Sequence, residues 1–116
     1  YHFFQPLLQD KNYEEFWVLL LSKNHSIIKP YQVSDRGISH TVVDPKRVFK
    51  AALEHNTSSL VLCHNHPSAN LNPSKADIKL AHKLIQASKT LDIQILDHII
   101  VSNTGYFSFA DEGKLK

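Results

Sequence analysis

His64 and His66 stand two residues apart in the run Cys63-His64-Asn65-His66-Pro67-Ser68, directly after a short apolar segment. In extended backbone that spacing turns both imidazoles to the same side. Two imidazoles converging on one point form a nucleus for zinc, whose catalytic sites take three protein ligands and keep a fourth position for water. Asp77 is the natural third ligand. It opens a helical pattern in which Ala81, Leu84 and Ser88 stand four, seven and eleven residues further on. Its carboxylate therefore lies on or beside the stripe that faces the core, where an unpaired charge is costly and a divalent cation would neutralise it. The helix N-terminus also favours its ionised form.

The same residues carry plainer readings. Ser74-x-x-Asp77 has the form of a capping box with Asp at the third helical position, which would make both residues structural. His64 and His66 could equally form the satisfied polar edge of a strand. A water activated by a metal also needs a base to take its proton. Glu14 and Glu15 precede the apolar run Phe16–Leu21. By alternation Glu14 shares a side with Phe16, Val18 and Leu20, and Glu15 with Trp17 and Leu19. The order of residues alone does not choose between them, and a charged pair before a strand is commonly a solvated strand end.

The elements that must hold these groups follow from periodicity. Phe16–Leu21 predicts a strand buried on both faces, with a partner strand over 26–33 and a short strand over 38–43. Asp44-Pro45 opens a helix, Asp44 as N-cap and Pro45 at the first helical position. Val48, Phe49, Ala52 and Leu53 recur at helical spacing, and the helix stops near His55-Asn56. Residues 59–63 predict a short apolar strand, and 64–73 a polar loop. Ser74 to about Lys89 predicts a helix with an apolar stripe through Ile78, Ala81, Leu84, Ile85 and Ser88. Strands are expected over 93–96, 99–101 and 106–109, the last two joined by a turn at Ser102-Asn103-Thr104-Gly105. Residues 1–13 read as an irregular or partly helical lead-in broken by Pro6. The expected fold class is α/β: a mixed β-sheet with helices packed on it.

Composition narrows the function classes. The 116 residues, 42% hydrophobic and 21% charged, suit one globular domain rather than a disordered chain. The longest apolar run falls far short of the roughly 20 residues that span a bilayer. No secretory signal is visible, and no membrane partner is expected. A single cysteine excludes an internal disulfide framework and fits a reducing compartment, so a cytoplasmic location is expected. Without any methionine, position 1 is not a translation start, and residues 1–116 are expected to be one domain cut from something longer. Thirteen basic residues against eleven acidic ones make a net charge of +2, too mild to argue for nucleic acid.

Taken together, His64-Asn65-His66-Pro67, Ser74-x-x-Asp77 and an upstream Glu resemble the JAMM motif of the JAB/MPN+ metallopeptidase superfamily. More narrowly, the chain resembles the C-terminal domain of bacterial RadC-type proteins. The matching blocks are Glu14 to Leu21, Thr41-Val42-Val43-Asp44-Pro45, His64-Asn65-His66-Pro67-Ser68 and Leu96-Asp97-His98-Ile99-Ile100. They run in order from about residue 5 to the C-terminus.

The resemblance implies a zinc site made by His64, His66 and Asp77, with water in the fourth position. It selects Glu14 as the match to the catalytic Glu, with Glu15 as fallback, and matches Ser74 to the serine that supports the oxyanion. The implied activity is hydrolysis of an unidentified peptide or isopeptide substrate. The implied fold is the mixed α/β sandwich shared with cytidine deaminases. Two positions depart from the wider pattern: Asn65 stands where eukaryotic members usually have Ser or Thr, and Ala69 replaces a usual Gly. Full-length members often carry a preceding helix-hairpin-helix region, and DNA contact would run through that region, absent from this sequence. The family's DNA-repair label rests on its name rather than on these residues.

Other classes fit less well. The HNH nucleases spread their motif over a ββα unit, unlike the contiguous His64-Asn65-His66. A zinc deaminase needs His-x-Glu and a later Pro-Cys-x-x-Cys, which one cysteine cannot supply. The remaining rival is a non-catalytic DNA- or protein-binding module with a structural metal, its basic stripe being Lys75, Lys79 and Lys83, joined by Lys46, Arg47 and Lys50. Such a charge row is ordinarily a solvated face. Cys63 and Trp17 read as core. Asp97 and His98 read either as residues tuning the site from behind or as strand-edge hydrogen-bonding groups.

Overall fold

Six consecutive apolar residues form β1 (Phe16–Leu21), and its burial on both faces explains why they do not alternate with polar ones. The computed structural model describes residues 3–8, 14–34, 43–67, 70–103 and 105–115. Around β1 are α1 (Gln5–Leu8), β2 (Ile27–Ser34), α2 (Pro45–Glu54), β3 (Ser59–Asn65), α3 (Lys75–Thr90), β4 (Gln94–Ser102) and β5 (Gly105–Ser108). The strands form one sheet in the order β2-β1-β3-β4-β5. β1 runs antiparallel to β2 and β3, β3 parallel to β4, and β4 antiparallel to β5. The sheet is thus mixed, and α3 supplies the crossover that its parallel pair requires. The α/β fold expected from the sequence is the one observed.

The helices divide the core. Val48, Phe49 and Ala52 of α2 and Leu84 of α3 pack on Phe16, Val18, Leu20, Leu60 and Leu62 on one face of the sheet. Phe4 and Leu8, flanking and closing α1, cover Leu19, Leu21, Cys63, Ile99 and Val101 on the other. Val18, Leu20, Leu60, Leu62 and Leu84 are all fully buried, and each such side chain contributes about 1.5–3 kcal/mol on leaving water. Both long helices start where expected. The Asp44 side chain caps α2 by accepting the Lys46 N–H, with Pro45 in the first turn. Ser74 is the N-cap of α3.

Three expectations need correction. β3 does not end at Cys63 but continues through His64 and Asn65, because those polar residues pair with Phe16 on one side and with Ile100 and Val101 on the other. The two strands expected over 93–96 and 99–101 are one continuous β4. Its polar centre, Asp97-His98, stays in the ladder, and a register shift beside Leu96 absorbs the irregularity. Pro6 does not break the lead-in; it sits in the first turn of α1, where a helix needs no N–H. The strand expected over 38–43 lies, Val43 apart, outside the described residues, as does Ala69.

Candidate metal centre

Strand alternation aims His64 at the helix-covered face. Leu60, Leu62 and His64 follow one another at every second position of β3, and the two leucines belong to the core beneath α2 and α3. Cys63, one residue out of phase, lies against α1, where burial pushes its thiol pKa well above the ordinary value. The chain leaves β3 at His66, whose N–H is held by the Val101 carbonyl of β4 at 2.9 Å. It returns at Ser74, where α3 begins over the same face. Three side chains then meet: His64 Nε2 lies 3.1 Å from His66 Nε2 and 3.3 Å from Asp77 Oδ1, and His66 Nε2 lies 3.1 Å from Asp77 Oδ2. His64, His66 and Asp77 each offer one ligand atom, all within 4.8 Å of one another, and could hold a metal ion.

Capping and convergence, which the sequence left as alternatives, coexist at Asp77. Asp77 N–H donates to Ser74 Oγ at 3.0 Å, and Ser74 N–H donates to Asp77 Oδ2 at 2.8 Å, a complete reciprocal capping box. The same carboxylate faces both imidazoles. Burial works against its charge, but hydrogen bonds from His64 and His66, the His64 field and the Ser74 N–H outweigh it. The carboxyl pKa is held far below 3.8. For His66, burial again opposes the charged ring. Hydrogen bonds to Asp77 and to the Asn70 carbonyl, with the charges of Asp77 and Glu14, raise its pKa above 6.5.

The two glutamates part company. Glu14 lines a cavity of about 130 Å³ together with Phe16, Val43, His64, Ala76, Asp77 and Leu80. Glu15 belongs to the opposite side. It is 4% exposed, its Oε1 accepts the Trp17 indole N–H at 3.0 Å, and its backbone N–H donates to Asn65 Oδ1 at 2.7 Å. Alternation had assigned the sides correctly without saying which side the histidines use. Trp17 is accordingly half-buried and hydrogen-bonded rather than plain core.

Behind the cluster, His64 Nδ1 lies 2.8 Å from Nε2 of His98, which is fully buried on β4. His98 stacks on Phe109 at 4.5 Å between ring centres and meets Phe16 edge-on. Burial, reinforced by His64, drives its pKa well below 6.5, so the ring is neutral. Asp97 has a different use: it accepts from Ser108 Oγ and from the backbone N–H groups of His98 and Ala110, fixing β5 and the turn after it. Of the paired readings of Asp97-His98, the contact with the site holds for His98 and the hydrogen-bonding anchor for Asp97. The bridging role of Asn65 had no sequence signal.

The family description "RadC-like JAB domain" matches residues 1–114. The chain belongs to the RadC-like JAB domain family. It is 48% identical over 109 residues to a UPF0758 protein of Flavobacterium johnsoniae, covering 94% of this chain and 48% of that one. A UPF0758 protein of Porphyromonas gingivalis is 40% identical over 116 residues, covering 99% and 51%. One of Methanosarcina mazei is 38% identical over 116 residues, covering 100% and 51%. This RadC-like domain thus spans about half the length of the curated relatives it matches. Among its described residues no helix is long and apolar enough to cross a membrane. Lys75, Lys79 and Lys83 of α3 and Lys46, Arg47 and Lys50 of α2 are all exposed.

Proposed function

We propose that this domain is a zinc-dependent hydrolase of amide or isopeptide bonds, with His64, His66 and Asp77 as the metal ligands. The observation that carries the reading is that Glu14 lines the same cavity as His64 and Asp77. A metal that serves only as a staple requires no carboxylate beside it. The donor set fits zinc: around a tetrahedral ion with bonds of about 2.0–2.1 Å, neighbouring ligand atoms stand about 3.3 Å apart. The two imidazole Nε2 atoms stand 3.1 Å apart and meet different oxygens of the Asp77 carboxylate, at 3.3 and 3.1 Å. Two imidazoles and one carboxylate also match the make-up of catalytic rather than closed structural sites.

When bound, zinc supplies Lewis acidity, which acidifies water and polarises a carbonyl. Glu14 accepts the proton of the attacking water and delivers it to the departing amine. Ser74 Oγ accepts the Asp77 N–H at the helix cap, which orients the hydroxyl and leaves its hydrogen to donate to the developing oxyanion. Asp77 stays ionised because both imidazoles and the cap hold it so. Phe16, Val43 and Leu80 give the cavity a water-poor wall suited to an aliphatic portion of a substrate.

The test is metal content and turnover on the intact protein. About one zinc per chain is expected, with cleavage of members of a peptide and isopeptide library that is lost in Glu14→Gln. Zinc-loaded wild type as inert as Glu14→Gln across the library would refute the hydrolase reading.

A further inference from the structure

We propose that His98 is a positioning residue that, with the site filled, accepts a hydrogen bond at Nε2 from His64 Nδ1–H, and so holds His64 in the form that ligates a metal through Nε2. The inference rests on the metal site proposed above and concerns how one of its ligands is prepared. A neutral imidazole carries its hydrogen on one nitrogen and a lone pair on the other, so the partner of the rear nitrogen decides what the front one offers. His66 has a plain solution. Its Nδ1 lies 2.9 Å from the Asn70 carbonyl, which can only accept, so a hydrogen stays on Nδ1, and Nε2 offers its lone pair to the cluster once it gives up the proton it shares with Asp77. His64 has no carbonyl behind it. It has His98 Nε2, which can donate or accept.

Only one arrangement of the pair is compatible with a bound metal. With its hydrogen on Nε2, His98 donates to His64 Nδ1, which forces the His64 hydrogen onto Nε2, pointing at Asp77 and His66. With its hydrogen on Nδ1, His98 accepts, and His64 Nε2 becomes a lone pair directed at the cluster. Nothing on the far side of His98 dictates the choice: its Nδ1 is buried and has no hydrogen-bond partner among the described residues. Phe16 and Phe109 hold the ring in place by packing alone. The occupant of the site therefore sets the pair. In the metal-free protein His64 keeps its hydrogen on Nε2 and points it at Asp77. On metal binding the hydrogens of both rings move to Nδ1 through exchange with solvent, with no change in their number. A carbonyl in place of His98 would serve the second state and leave the first unsatisfied.

The experiment compares wild type, His98→Phe and His98→Gln in the intact protein, with zinc affinity measured by competition against a chromophoric chelator. Phe fits between Phe16 and Phe109 but can neither accept nor donate, so zinc affinity is expected to fall about 10- to 100-fold, and the thermal midpoint in chelator to drop as well because His64 Nδ1 loses its donor. Gln places a carboxamide oxygen near the position of Nε2 and is expected to recover most of the affinity. Long-range proton–nitrogen NMR of wild type reads the hydrogens directly, on Nε2 of both rings without zinc and on Nδ1 of both with it. Undiminished zinc affinity in His98→Phe, or a zinc-loaded wild type whose His98 keeps its hydrogen on Nε2, overturns the inference. That NMR result stands even if a variant fails to fold. Wild type that binds no zinc overturns the metal site itself.

Discussion

Asn65, lying between the two histidines, accepts the backbone N–H of Glu15 through its side-chain oxygen at 2.7 Å, joining segments fifty residues apart in sequence. The bond fixes the residue that follows Glu14, and so sets where Glu14 enters the cavity. Asn65 is 2% exposed, which makes the exchange of that oxygen for a methyl group expensive. Asn65→Ala is expected to cost about 1–3 kcal/mol, the cost of a buried donor left unsatisfied. Urea unfolding in the presence of chelator measures it, and zinc stoichiometry should be retained because no ligand is touched.

The opposite placements of the two glutamates predict opposite phenotypes. Glu14→Gln is expected to keep zinc and lower the hydrolytic rate by about 100-fold or more, the scale of lost general base catalysis. Glu15→Gln should leave the rate within a few-fold but disturb the indole that Glu15 holds, visible as a change in Trp17 fluorescence. Trp17 is the only tryptophan, so the signal has a single source.

Ser74 has a capping use and a proposed chemical one, and two substitutions separate them. Glycine is tolerated at N-caps with a loss of only a few tenths of a kcal/mol, whereas alanine costs about 1 kcal/mol. Ser74→Gly should therefore unfold nearly like wild type in chelator while losing about 10²–10³ in turnover if the hydroxyl supports the oxyanion. A Ser74→Gly enzyme of wild-type rate would confine Ser74 to the cap.

Protons compete with the metal for His66. Its pKa is raised above 6.5 in the metal-free protein, so zinc must displace a proton at and somewhat above that pH. Zinc affinity is expected to rise with pH through 6.5 by up to about tenfold per unit and to level off above the raised value. Proton release measured in two buffers of different ionisation enthalpy checks it. The stability contributions have the opposite and the same sense, respectively, for the two charged partners. The His66 contribution is complete below pH 6.5 and disappears as pH rises through the raised value. The Asp77 contribution is present above about pH 3.8 and is lost as pH falls toward its lowered one.

Local signals account for what the sequence made legible. Asp44-Pro45 and Ser74-x-x-Asp77 announce their helices because capping is a contact between residues three or fewer apart. Phe16–Leu21 announces an inner strand because nothing polar interrupts it. His64 and Asn65 looked like loop because their residue types are poor strand formers; what keeps them in β3 is pairing with Phe16 and with Ile100 and Val101, contacts that no local window contains. Residue order left Glu14 and Glu15 open for the same reason, and the family resemblance alone selected Glu14. Alternation separates two sides of a strand, and only the register with β3 says which of them His64 shares. The cluster at Asp77 was foreseeable from the apolar stripe of α3, but its double employment was not, since capping and convergence looked like competing uses of one carboxylate.

Glu14 precedes β1, His64 lies on β3 and His98 on β4, so the site draws on three neighbouring inner strands of the sheet order β2-β1-β3-β4-β5. The outer strands, β2 and β5, provide none of these groups. Insertions, altered hairpins or added strands at either border would therefore leave these side chains in register with one another. A lineage could reshape what it recognises at the margins of the sheet while inheriting the same centre unchanged.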